Sequence, residues 1–149
     1  MVNPFGKILN ASYPMFKQMG FKIVRDSDYD TILCSAQNTI ALSVERYTPA
    51  DMQLSFIGED GEIYPLWMIR LMLDMKQYDR DKRVLRGIRL EYGLRDGSCG
   101  MAMFRQGVKL YTTTYLEQAT VFLQDHLHRV NFSQEEFTSK LVTYSKHAA

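Results

Sequence analysis

Four groups of side chains have the residue types that chemistry requires: scattered His and Cys, a Cys flanked by glycines, spaced carboxylates, and a run of Arg and Lys. For a metal the candidates are His126, His128, His147, Cys34 and Cys99. Ligands must converge on one ion, which paired cysteines at C-x2-C spacing or histidines on one helix face achieve. His126 and His128 are two apart, and in a regular helix they point about 200° apart at roughly 100° per residue. Cys34 falls with Ile32 and Ala36 in the apolar set of a strand. The spacing therefore predicts neither a metal nor a cofactor. The second group is Gly97-Ser98-Cys99-Gly100, a glycine loop able to expose a thiol. A nucleophilic Cys needs a base or a lowered pKa, and no His partner is placed for Cys99 by the sequence. Phosphate loops, nucleophile elbows and dinucleotide fingerprints are absent from the chain. The expectation is a non-enzyme with no catalytic residue, a small enzyme using Cys99 being one alternative.

Carboxylates form the third group. Asp26, Asp28 and Asp30 alternate like the start of a calcium loop. The glycine that loop needs next is Thr31, and the bidentate acid at its end is Gln37. What remains is turn-forming acids that could meet a basic partner, since complementary charge speeds encounter and sets register. Tyrosines beside charged groups are common anchors of such contacts. The candidate partner-binding residues are Asp28, Tyr29, Asp30, Tyr47, Glu59, Asp60, Glu62 and Tyr64. Reversing charge at Asp28 and Asp60 is expected to slow association. The fourth group, Lys76 to Arg95, holds seven basic and three acidic residues. A phosphate-binding helix has this pattern, and so has a solvated helix with local acid–base pairs such as Asp79 with Arg83. A nucleic-acid-associated regulator using Arg83, Arg86 and Arg89 is the second alternative.

The elements that must position these groups follow from length and pattern. A chain of 149 residues suits one domain, 1–149, burying roughly 70% of its unfolded surface. Eighteen basic against 17 acidic residues give a net charge of +1, which weighs against a nucleic-acid-coating protein. The first 75 residues carry a net −3 and the remainder a net +4. The run Leu66 to Met75 is too short, and too interrupted by Arg70 and Asp74, to span a bilayer. With no signal peptide visible, a cytoplasmic protein is expected.

Asn3-Pro4 predicts a helix start, Pro14 a kink or restart, and Gly20 the stop. Strands follow at Phe21–Arg25, Thr31–Ala36 and Thr39–Tyr47, then a turn at Thr48–Asp51. Met52, Leu54 and Phe56 alternate with polar residues, and Asp60-Gly61 predicts a hairpin into Glu62–Tyr64. Pro65 opens a mostly buried helix, and from Asp79 a basic one places Val84, Leu85 and Ile88 inward. Gly93, Gly97 and Gly100 mark a loop. Leu116 to Leu127 is helical, and Ser133 with Glu136 forms a capping box for a last amphipathic helix. The class is α+β: an N-terminal helix, an antiparallel meander of about four to five strands, then three to four helices packed on one sheet face.

This order resembles small bacterial immunity proteins of polymorphic toxin systems. The resemblance rests on Gly20-Phe21-Lys22-Ile23-Val24, on Ile40-Ala41-Leu42-Ser43-Val44-Glu45-Arg46, on Ile63-Tyr64-Pro65-Leu66-Trp67 leading into a helix, and on Leu123 to Phe137. It implies a non-enzymatic protein that binds one cognate toxin domain and covers its active site. It carries over no functional residue. Immunity proteins against nucleases are often strongly acidic, so a charge of +1 argues against a nuclease partner. An exposed edge strand would also permit a homodimer.

Overall fold

The computed structural model describes residues 6–27, 30–45 and 48–148. Helix α1, Gly6–Gln18, leads into five strands: β1 Lys22–Asp26, β2 Asp30–Cys34, β3 Thr39–Glu45, β4 Thr48–Ile57 and β5 Ile63–Pro65. Helices α2 Leu66–Leu73, α3 Met75–Glu91, α4 Met101–His126 and α5 Glu135–Ala148 complete the chain. The sheet is an antiparallel meander in the order β1-β2-β3-β4-β5, which is the α+β layout the pattern predicts.

Alternation along the strands decides which face is buried. Leu33 lies opposite Ile40, Ile40 opposite Phe56, and Leu42 opposite Leu54, so one face is continuous and apolar. It packs on Phe16 of α1, Leu66 and Ile69 of α2, Leu116, Phe122 and Leu123 of α4, and Leu141 of α5. Each such fully buried side chain contributes about 1.5–3 kcal/mol. A second, smaller cluster of Ile88, Leu94 and Tyr111 ties the far end of α3 to α4.

Several expectations need correction. α1 continues through Pro14 without a restart. Pro14 and Asn10 are both exposed, so the carbonyl that loses its helical partner can be satisfied by water. Thr48 to Asp51 is strand rather than turn, with Thr48 paired to Glu45. Pro49 is tolerated there because β5 pairs only with Ser55 to Ile57, which leaves the first half of β4 an edge. The apolar helix ends at Leu73, and Asp74, with φ −152°, separates it from α3. Val84 is 52% exposed, and the inward face of α3 is formed by Leu85 and Ile88. The capping box does not form. Ser133 Oγ donates to Asn131 Oδ1 at 2.5 Å, and α5 begins at Glu135. The glycine loop is as expected: Gly93, Gly97 and Gly100 have φ of 61°, 69° and 88°. The helix start at Asn3-Pro4 lies outside the described residues.

Candidate functional site

Two features have the geometry of a site, an acidic hairpin and a cationic cleft. The hairpin joins β4 to β5. Gly58 N donates to the Glu62 carbonyl at 2.9 Å, and Gly61, with φ 80°, donates to the Gly58 carbonyl at 3.0 Å. Asp60 holds this turn from inside. Its Oδ1 accepts the Glu62 N–H at 3.0 Å and its Oδ2 accepts the Tyr64 hydroxyl at 3.4 Å. A Cβ on Gly58 would sit 2.7 Å from Asp60 Oδ1 and 2.9 Å from the Tyr64 ring, so a larger residue there would push these side chains aside. Tyr64 also stacks on Phe132 with 4.8 Å between ring centroids. Partial burial, then the neighbouring Asp60 carboxylate, pushes its hydroxyl pKa upward. Glu59 and Glu62 stand exposed with no ion pair among the described residues, and Ile63 beside them is 65% exposed.

The remaining acidic candidates do not join this group. Asp30 opens β2 opposite Ser43, at the end of the sheet away from the hairpin, whereas Ile57 pairs with Ile63 beside it. Asp30 is turned inward on its own connection: Ser27 Oγ donates to its carboxylate, and Arg25 Nε is 4.0 Å from it. Asp28, Tyr29 and Tyr47 lie outside the described residues.

The cleft is built around Arg70. An arginine within the apolar run Leu66–Leu73 is carried into the interior with that helix and is only 4% exposed. A buried cation needs anionic partners, and two are present: Asp81 Oδ2 at 2.7 Å and Asp74 Oδ2 at 3.3 Å. Its guanidinium also lies over the rings of Tyr78 and Phe122, at 5.4 and 5.3 Å. The Nε of Arg70 is the one buried side-chain N or O, among the described residues, that lacks a hydrogen-bond partner. Gln118 Nε2 donates to the Asp81 carbonyl at 3.2 Å, which fixes α3 against α4.

Between these two helices and the start of α2 lies a cavity of about 500 Å³. Tyr78, Asp81, Lys82, Leu85, Arg86 and Arg89 of α3 line it, a single helical face at spacings of three and four. Tyr111 and Tyr115 of α4 and Trp67 and Arg70 of α2 line it as well. Arg89 Nη2 donates to the Tyr111 hydroxyl at 3.0 Å. The Tyr115 hydroxyl accepts the Leu54 N–H at 2.6 Å, satisfying a backbone donor on the stretch of β4 that β5 does not cover. Burial raises the Tyr115 pKa, and the hydrogen bond from Leu54 opposes this only in part.

Sequence reasoning missed Arg70, Asp74 and Asp81, although an arginine inside an apolar run with an acid four residues on is itself a signal. It named Arg83, Arg86 and Arg89 together. Arg86 and Arg89 line the cleft, and Arg83 is exposed outside it. Cys99 is exposed in the glycine loop, its Sγ 3.6 Å from the Glu91 carbonyl. His126 ends α4, 3.9 Å from Asp74, and His128 lies in the 3-10 turn Leu127–Arg129 beyond it. Among the described residues no three His, Cys, Asp or Glu side chains are grouped to hold a metal. No helix among them is long and apolar enough to cross a membrane.

Fold and sites together define an α+β protein with an antiparallel five-stranded sheet covered by helices and a cationic cleft between helices. Compared with protein families, curated proteins and solved structures, the chain matches none.

Proposed function

We propose that this chain is a non-enzymatic binding protein of the cytoplasm, an immunity-like protein that neutralises a cognate toxin domain by covering its active site. The observation that carries this reading is the β4–β5 hairpin. It presents Glu59, Glu62 and Ile63 to solvent on a turn already fixed by Asp60 and Tyr64. An anchor ordered before contact loses little conformational entropy on binding, and carboxylates around an apolar residue suit a basic surface. A stable complex needs on the order of 800 Å² from each partner, so the hairpin would be the centre of a wider contact.

The structure changes how the reading should be tested. Asp60 uses both carboxylate oxygens within the hairpin, so reversing its charge would disturb the turn as well as a partner. Glu59→Lys with Glu62→Lys changes the charge alone. The experiment is capture from a lysate of the source organism, followed by purification of the captured domain and assay of its growth inhibition. The expected result is one protein captured in near-equal amount, its toxicity relieved by this chain, with association slowed at least tenfold by the double variant at low salt. Capture that the double variant leaves unchanged, or a captured protein whose activity this chain does not suppress, would overturn the reading.

A further inference from the structure

We propose that the cleft between α3, α4 and the start of α2 binds a small organic phosphate monoester with a planar aromatic body. A cavity of about 500 Å³ lies in the range of small-molecule sites, about 300–1,000 Å³. Two of its cations are Lys82 and Arg86. Among the described residues Asp81 is the one carboxylate in the wall, and Arg70 occupies it at 2.7 Å. Lys82 and Arg86, one helical turn apart on the cleft's rim, form no ion pair among the described residues. Two like charges four residues apart on a helix repel each other, and a dianion between them removes that cost. A monoanionic carboxylate would leave one of them uncompensated, which favours the phosphate monoester.

Arg70 also lines the cleft, with its guanidinium already held by Asp81 and Asp74. The body of the ligand follows from the other walls. Trp67, Tyr78, Tyr111 and Tyr115 offer ring surfaces, and Gln53 adds an amide for polar edges. A cleft of about 500 Å³ matches the volume of one such molecule. Arg83, which a nucleic-acid-binding face would use, lies outside it.

Trp67 is the only tryptophan of the chain and lines the cleft, so its fluorescence reports occupancy directly. The experiment titrates the full chain with phenyl phosphate, adenosine monophosphate, inorganic phosphate, adenosine and a single-stranded oligonucleotide. It is repeated on Lys82→Gln, Arg86→Gln and, as a control of equal charge change, Arg83→Gln. All three substituted residues are exposed, so circular dichroism should show intact folds. The expected result is a saturable signal with phenyl phosphate or adenosine monophosphate below about 1 mM, at least tenfold weaker with inorganic phosphate and with adenosine. Lys82→Gln and Arg86→Gln should each weaken it about tenfold, and Arg83→Gln should leave it unchanged. No saturation with either aromatic phosphate by about 5 mM would overturn the proposal. Inorganic phosphate binding as tightly as phenyl phosphate would do the same. So would oligonucleotide binding that all three variants weaken equally, the mark of a general polyanion surface.

Discussion

Replacing Arg70 by Met tests whether the buried cation is held by its two acids. Methionine keeps an unbranched apolar stem of similar reach, so the change removes charge and hydrogen bonding while leaving most packing in place. Asp81 and Asp74 are then left beside an apolar side chain, with their side chains only 15% and 21% exposed. Breaking a buried pair on one side costs roughly 3–5 kcal/mol, mostly because the other charge stays desolvated. Both carboxylates retain some contact with water, which places the cost near the lower end, about 3 kcal/mol. The lost cation–π contacts to Tyr78 and Phe122 add about 0.5–1 kcal/mol each. Against a total stability of about 5–15 kcal/mol, this is a large shift in a urea titration read by circular dichroism. The triple variant Arg70→Met, Asp74→Asn, Asp81→Asn removes the charges together, and it should recover to within about 1 kcal/mol of the parent. A loss under about 1 kcal/mol for Arg70→Met would refute the reasoning, since an exposed pair would behave in that way. A triple variant as unstable as the single one would refute it too, because uncompensated charge would then not be the cause.

Other perturbations test the remaining joints. Gly107→Ala should destabilise by about 1–3 kcal/mol in a urea titration, because its Cβ would lie 2.3 Å from Tyr92 Cβ and 2.8 Å from Leu94 Cδ2. Alanine is the better helix former by about 1 kcal/mol, so a net gain in stability would show that the α3–α4 contact is looser than described. Tyr115→Phe should cost about 1–3 kcal/mol by leaving the Leu54 N–H unpaired. Its pH dependence has a definite sign. The folded pKa of Tyr115 is raised above 10.0, so the folded state holds its proton longer than the unfolded one. Stability is therefore full below pH 10 and falls as pH rises above it, and Tyr115→Phe should flatten that alkaline decline in unfolding curves from pH 9 to 11. Cys99, exposed, should react with a disulfide reagent in the native protein well before the half-buried Cys34; mass spectrometry of the labelled chain would show the order, and equal rates would contradict it.

The sheet was legible because its signal is local. Ile40, Leu42, Leu54 and Phe56 alternate with polar neighbours, and alternation alone decides which face is buried. The Asp60-Gly61 turn was legible for the same reason, since glycine is the residue that takes φ 80° there without strain. Boundaries that depend on distant partners were not. Pro49 forbids a central strand, yet it is allowed in β4 because β5 is too short to cover that end. Ser133 matches a capping box by spacing, but Asn131 takes its hydroxyl first. For the candidate site, composition showed that Lys76 to Arg95 is basic without showing which side chains turn inward. That depends on α4, 26 residues long, offering Tyr111 and Tyr115 across from Lys82 and Arg86. Of the acidic candidates, the hairpin set came together because it is contiguous, while Asp30 is separated from it by the length of the strands.

The charge asymmetry of the sequence acquires a structural meaning at Arg70. The acidic first half of the chain builds α1, the sheet and α2, and the basic second half builds α3 to α5. Arg70 is a cation from the acidic half buried on Asp81 of the basic half, so the two layers are joined by charges opposite to their own. Asp81, which lines the same cavity as Lys82 and Arg86, is thereby already paired with Arg70. Burial of Arg70 and the charge of the cleft thus meet at Asp81. A molecule that fills the cleft must add stability as RT ln(1 + [L]/Kd), and a change that frees Asp81 must weaken both the layer junction and the field that draws an anion in. Arg70→Met should consequently lower affinity for an aromatic phosphate although the aromatic walls and rim cations remain.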